Sequence, residues 1–222
     1  HGLIRKREFE LKEQTDNRLV FEITSNDESL QNYPYHFRVE ITYELKGKEI
    51  TITYRVQNLE SDQVMPYFIG GHPAFRCPLL ADEDYEDYEL IFEKEESCSV
   101  PLLFTETGLV DRLQRTPFLD HSRSLPLRHE LFEKDAIILD QLASKSVQLL
   151  SKKSGKGLEF AFADFENLVL WSTNNKGPFI ALEPWTGIST SAEEGDFFED
   201  KKGVIQLAPQ ETRSHQYRIT IL

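Results

Sequence analysis

Apolar residues return at every second position through much of this chain. Between positions 37 and 45, Phe37, Val39, Ile41, Tyr43 and Leu45 alternate with polar residues. Lys46-Gly47 interrupts the run, and Ile50, Ile52, Tyr54 and Val56 then alternate with Thr51, Thr53, Arg55 and Gln57. A period of two sends successive side chains to opposite faces, so such a segment buries its apolar set only as a β-strand. Two such runs around a short Gly-containing turn predict a β-hairpin. The same alternation marks Tyr88-Leu90-Phe92, Leu158-Phe160-Phe162, Leu168-Leu170 and Tyr217-Ile219-Ile221, with shorter strands at Val20-Ile23 and Phe179-Leu182. Val, Ile, Thr, Tyr and Phe fill these positions, as a half-buried pleated surface favours. The one helical signal, around Leu131-Phe132, is not sustained. The expectation is an all-β protein, a large twisted antiparallel β-sandwich, with residues 1–222 in a single domain. The acidic run 82–87 reads as a solvated loop, and 101–128, rich in turn residues with little periodicity, as a long excursion across one sheet edge or over a site.

Composition narrows the functional classes. Twenty-five Lys and Arg against 38 Asp and Glu leave a net charge of −13. That balance speaks against nucleic acid or an anionic membrane surface as a partner, since both are held by basic patches. No apolar run is long enough to cross a bilayer as a helix. No signal peptide is visible, so a cytoplasmic location is expected. Cys77 and Cys98 form no disulfide framework and no metal-site spacing, and are expected as reduced, buried thiols. Residue 1 is His and the only methionine is Met65, so the N-terminal part of the fold is expected to be missing from this chain.

Ionisable residues stand at four places that strand alternation does not explain. His72 follows Gly70-Gly71 and precedes Pro73. The glycines allow close backbone approach and the proline fixes the exit. A histidine held there is either a rigidly presented general acid or a histidine satisfied by backbone carbonyls. Glu183 ends the apolar run 179–182 and precedes Pro184-Trp185. Burial there would raise its pKa and make it a base near neutral pH, the alternative being a strand-end ion pair. Asp135, before Ala136-Ile137-Ile138-Leu139, could accept a ligand hydroxyl or cap a turn. The fourth place is His1-Gly2-Leu3-Ile4-Arg5. His36, His121, His129 and His215 read as surface or strand-face histidines. No zinc spacing, phosphate-cradling glycine loop or nucleophile elbow is present.

In this order the four places resemble the aldose 1-epimerase (galactose mutarotase-like) family. The resemblance is carried by His1-Gly2-Leu3-Ile4-Arg5, Tyr33-Pro34-Tyr35-His36-Phe37, Asn58 through Gly70-Gly71-His72-Pro73-Ala74-Phe75, Phe132-Glu133-Lys134-Asp135, Trp171, Leu182-Glu183-Pro184-Trp185-Thr186-Gly187 and the closing 203–211 stretch. The spacing is most similar to the bacterial branch with galactose-operon-associated members. The resemblance implies a supersandwich fold with a sugar site on one sheet. It implies Glu183 as general base, His72 as general acid, and His1 and Asp135 as substrate-binding residues. A family arginine upstream of the first histidine falls outside this chain. Arg76 stands where many mutarotases have Asn, which departs from ordinary galactose selectivity.

The implied reaction interconverts the α and β anomers of a hexose by ring opening and closure. It needs one acid and one base, expected about a sugar ring apart, with Trp185 or Phe75 stacked on the sugar. It needs no metal and no cofactor. The nearest competitor is a hexose-6-phosphate 1-epimerase, with Arg5, Arg7 and Arg76 as phosphate donors. The acidic balance weighs against it without excluding a local cationic pocket. A non-catalytic carbohydrate-binding protein is the alternative outside enzymes.

Overall fold

The computed structural model describes residues 2–222. Its strands are β1 (Glu10–Gln14), β2 (Arg18–Thr24), β3 (Phe37–Lys46), β4 (Glu49–Asn58), β5 (Met65–Tyr67), β6 (Ala74–Arg76), β7 (Tyr88–Phe104) and β8 (Leu109–Pro126). They continue with β9 (Ile137–Leu139), β10 (Ser146–Ser151), β11 (Gly157–Ala161), β12 (Asn167–Trp171), β13 (Phe179–Trp185), β14 (Ile205–Leu207) and β15 (Thr212–Ile221). One sheet has nine strands in the order β1-β2-β3-β4-β15-β11-β10-β7-β8. A second has four, β6-β13-β12-β9, and β14 pairs with β5 in a small ribbon. Among the described residues every pair of these strands is antiparallel.

The hairpin expected from the alternation is β3–β4, with Phe37 opposite Asn58 and Lys46 opposite Glu49. Its apolar face continues across the large sheet through Tyr217, Phe160, Leu149 and Leu90. Leu168, Leu170, Ile180 and Leu182 of the small sheet pack against that face, closing the main core. Side chains such as Leu149, Phe160 and Leu168 are fully buried, each stabilising the fold by about 1.5–3 kcal/mol. The small sheet leaves the β1–β3 end of the face open, where Leu11, Tyr43 and Leu45 are exposed. Cys77 and Cys98 are free and buried, as expected. No helix among the described residues is long and apolar enough to cross a membrane.

Three local expectations are corrected. The 101–128 stretch does run along one sheet edge, but as regular structure, because most of it belongs to the long β7–β8 hairpin. Register shifts between Ile91 and Glu96, at Cys98, and at Pro101 re-phase the side chains, which erases the period of two from the sequence. The acidic run is not wholly solvated. Glu83 is buried and accepts hydrogen bonds from Tyr88 and, at 2.6 Å, from Ser151. A short helix, α1 (Asp27–Asn32), is held by reciprocal capping between Asn26 and Ser29. The weak signal near Leu131 is a single 3-10 turn, His129–Phe132.

Asn58 ties the large sheet to the connection that leads into the site. Its side-chain amide donates to the carbonyls of Gln63, Leu207 and Ala208 at 2.8, 3.0 and 3.1 Å. Its side-chain oxygen accepts from the Glu60 N–H at 2.9 Å. Asn58 is fully buried, so truncation strands these groups away from water. Asn58→Ala is expected to cost about 3 kcal/mol in a urea unfolding titration.

Candidate active site

Face parity on the small sheet places the site. Ile180 and Leu182 of β13 point into the core, so Phe179, Ala181, Glu183 and Trp185 share the opposite face. Directly opposed residues of an antiparallel pair share a face. Val169 lies opposite Glu183, Ala181 opposite Trp171, and Arg76 opposite Phe179. The outer face of the small sheet therefore carries Arg76, Phe179, Trp171, Val169, Glu183 and Trp185. The tip of the β7–β8 hairpin folds over its far end, where Val110, Ile138 and Val169 cluster with Trp185 and Ile188.

Glu183 is 3% exposed. Burial between Val169 and the Trp185 indole pushes its pKa up to about 7, a rise that the indole N–H opposes by hydrogen bonding to the carboxylate and that the charge of Asp135 reinforces. His72 reaches the same carboxylate from the connection before β6. Its Nδ1 lies 3.3 Å from Glu183 Oε1. Burial lowers the His72 pKa below its ordinary value, a hydrogen bond to its own backbone offsets part of this, and the Arg5 guanidinium lowers it further. The edge of the His72 ring meets Trp171, with centroids 5.8 Å apart and planes at 89°. Trp171 in turn packs on Phe179 at 5.5 Å.

The structure thus sets His72 against Glu183, and the charges of Asp135 and Arg5 act on this pair. Asp135 is exposed, with φ at +85°, and its carboxylate accepts a hydrogen bond from the Ala136 N–H at 2.8 Å. A non-glycine residue held in that region is strained. The turn-capping bond and the position near Glu183 coexist in this one side chain. His1 lies outside the described residues. The acid and base are closer than the sugar-ring separation expected from sequence.

Two aromatic expectations change. Phe75 cannot stack on a ligand in this site. It pairs with Ile180 on the core face and packs on Phe160, at 6.1 Å. The Trp185 indole is partly buried in the cluster under the hairpin tip, on the same strand face as Glu183. Trp171 is the aromatic side chain against His72, and Phe179 backs it on the same face. Trp171 served in sequence only as a landmark, and parity with Ala181 is the signal that places it on the site face. Arg7 is engaged elsewhere, 2.7 Å from Glu28. His215 is a strand-face histidine, buried on β15 and 2.9 Å from the Tyr67 hydroxyl.

The antiparallel β-sandwich is the fold of the galactose mutarotase-like proteins. The profile of the Aldose 1-epimerase family matches residues 1–220, and the chain belongs to that family. It is 55% identical over 222 residues to the chromosomal protein LacX of Lactococcus lactis subsp. lactis, an alignment covering all of this chain and 74% of LacX. Among solved structures it resembles a galactose mutarotase related enzyme from Lactobacillus acidophilus, with a TM-score of 0.91 and 25% identity. That match covers 100% of this chain and 73% of the other. A galactose mutarotase-like protein from Lactobacillus casei aligns with a TM-score of 0.86 and 26% identity, over 100% and 75% of the two chains.

The raised pKa of Glu183 has a consequence for stability. Its folded value lies above its unfolded one, so the folded state favours the protonated form. This contribution is full below about pH 4.5 and is lost as pH rises through about 7. Glu183→Gln removes the titrating group. Relative to wild type, the variant should gain stability between pH 5 and pH 8, by at most about 3 kcal/mol. Urea unfolding at the two pH values checks this.

Proposed function

We propose that the chain is a mutarotase that interconverts the anomers of a hexose, with Glu183 as general base and His72 as general acid. The reading rests on the 3.3 Å approach of His72 Nδ1 to a buried Glu183. Ring opening removes a proton from the C1 hydroxyl and adds one to the ring oxygen. Both oxygens are bonded to the same carbon, so adjacent acid and base atoms suit the step. A carboxylate beside an imidazolium becomes a carboxylic acid beside a neutral imidazole as the ring opens. The two states hold the same number of protons. Burial favours the neutral pair, drawing the two states together in energy. Rotation about C1–C2 in the open aldehyde, followed by closure, returns the protons and completes the exchange.

In this reading Asp135 binds sugar hydroxyls beside the pair, and His1 has the same role. Trp171 and Phe179 offer an apolar wall for the ring. We place the protein in the cytoplasm, where a free or phosphorylated aldose would be its partner. A second substrate reading, a hexose 6-phosphate, is favoured by the two cations at the site. Arg5 acts electrostatically on His72, and Arg76 stands on the site face beside Phe179.

Proton-transfer spectroscopy of the sugar tests the proposal. Freshly dissolved α-galactose, α-glucose and α-glucose 6-phosphate are followed by NMR at low temperature with and without protein. Wild type should accelerate exchange of at least one, and Glu183→Gln should lose on the order of 10²–10⁴-fold in kcat. The kcat profile should be bell-shaped, since the active pair holds one proton. Its alkaline limb follows Glu183 near pH 7 and its acid limb follows His72 below 6.5. Binding of a sugar without acceleration, equal in wild type and Glu183→Gln, would make the protein a carbohydrate-binding module. Arg76→Ala should raise KM for the phosphate and spare the free hexoses if the second reading holds.

A further inference from the structure

We propose that Trp185 is a positioning residue that holds the acid and the base in register, gripping the backbone that carries His72 and orienting the carboxylate of Glu183. The inference rests on the mutarotase reading for its catalytic meaning and on the geometry around Gly70 for its substance.

Gly70 forms an isolated antiparallel bridge with Trp185. A Cβ built on Gly70 would stand 2.7 Å from Trp185 Cδ1 and 2.9 Å from the Pro184 carbonyl oxygen. No ordinary side chain fits there without a shift. The backbone hydrogen bond from Gly71 N–H to the Pro184 oxygen, at 3.0 Å, fastens the next residue. On its other side, a Cβ on Gly71 would meet the hydroxyl of Tyr54 at 3.0 Å and Tyr217 at 3.0 and 3.2 Å. The two glycines therefore thread between the 184–185 backbone and indole and a pair of core tyrosines, and His72 emerges directly from that slot.

Trp185 is itself anchored from three directions. The Asn167 side chain donates to its carbonyl at 3.1 Å. The following Thr186 bonds Ile69 through its N–H and its hydroxyl, with a third bond from the Ile69 N–H, all at 2.9–3.0 Å. Its ring packs in the apolar cluster of Val110, Ile138 and Val169. The Cδ1 atom that touches Gly70 is bonded to Nε1, so the same edge of the indole that confines the glycine carries the N–H. Trp185 and Glu183 are two residues apart on one strand and share a face, which sets the indole beside the carboxylate. The lowering effect of the indole on Glu183 agrees with this placement.

The test uses Trp185→Phe, which keeps an aromatic ring and removes the N–H, Gly70→Ala, and the double variant. A donor to a carboxylate stabilises the charged form, so its loss raises the Glu183 pKa. In Trp185→Phe the alkaline limb of the kcat profile should move to higher pH, by about a factor of ten in proton concentration, the size of a charge-assisted hydrogen bond. KM should stay within about twofold while kcat falls. Gly70→Ala should lower kcat by up to about a hundredfold, the scale of a small misplacement of reacting groups. The double variant should lose less than the product of the two single losses, since the smaller ring frees the space the new methyl needs. Thermal melting of each variant separates loss of fold from loss of position.

A 13C NMR titration of Glu183, in protein labelled at glutamate, reads the same shift without turnover. If wild type accelerates no sugar, the functional reading fails, and this titration alone decides the role of Trp185. An unmoved Glu183 titration in folded Trp185→Phe, or strictly multiplicative losses in the double variant, would overturn the proposal.

Discussion

A carboxylate taken out of water beside an imidazole is the constraint around which the small sheet is arranged. Left alone, a buried charge of this kind is costly, and the side chain escapes the cost by holding its proton to higher pH. Glu183 does so, with its pKa pushed up to about 7. Among the described residues no Lys or Arg pairs with the carboxyl; such a pairing would have fixed it as a permanent anion. Its polar neighbours are His72 and the Trp185 N–H, and the strand partner opposite is Val169. That environment leaves the group able to gain and lose a proton near neutral pH, which is what proton exchange at a sugar hydroxyl requires.

The sheet supplies the precision. Glu183, Trp171 and Trp185 sit on adjacent paired strands whose inner faces are locked into the main core. Sites built on paired strands hold their side chains more exactly than sites on loops. His72 is the exception, because it arrives on a connection rather than a strand. The two glycines that precede it compensate, by letting the backbone lie against β13 at distances a side chain would forbid. Asp135 also comes from a turn, and its strained backbone is secured by its own carboxylate on the next N–H.

How much of this was legible in the sequence follows from what each feature depends on. The β3–β4 hairpin was legible because its pairing has no bulge, so the alternation survives from Phe37 to Val56. The β7–β8 hairpin was not, because several register shifts re-phase it. His72 and Glu183 stood out through their neighbours, glycines on one side and an apolar strand on the other. The roles of Phe75 and Trp185 depend on which face of a strand a residue occupies relative to a partner distant in sequence, and one strand's pattern does not carry that. Glu83 shows the same limit. Its burial is set by Ser151 and Tyr88, and a run of acidic neighbours hides it.

Net charge is a poor guide to what this site holds. The chain carries −13 overall, which would discourage an anionic ligand if the charge acted as a whole. At physiological ionic strength, exposed charges are screened over about 8 Å. Arg5 already acts on His72, and Arg76 shares the sheet face with Phe179. Surface carboxylates elsewhere are neutralised locally, as in Glu40 with Arg55 and Glu28 with Arg7. The field over this sheet face is therefore set by a few side chains, and there the positive charge of Arg5 and Arg76 accompanies His72 and Glu183.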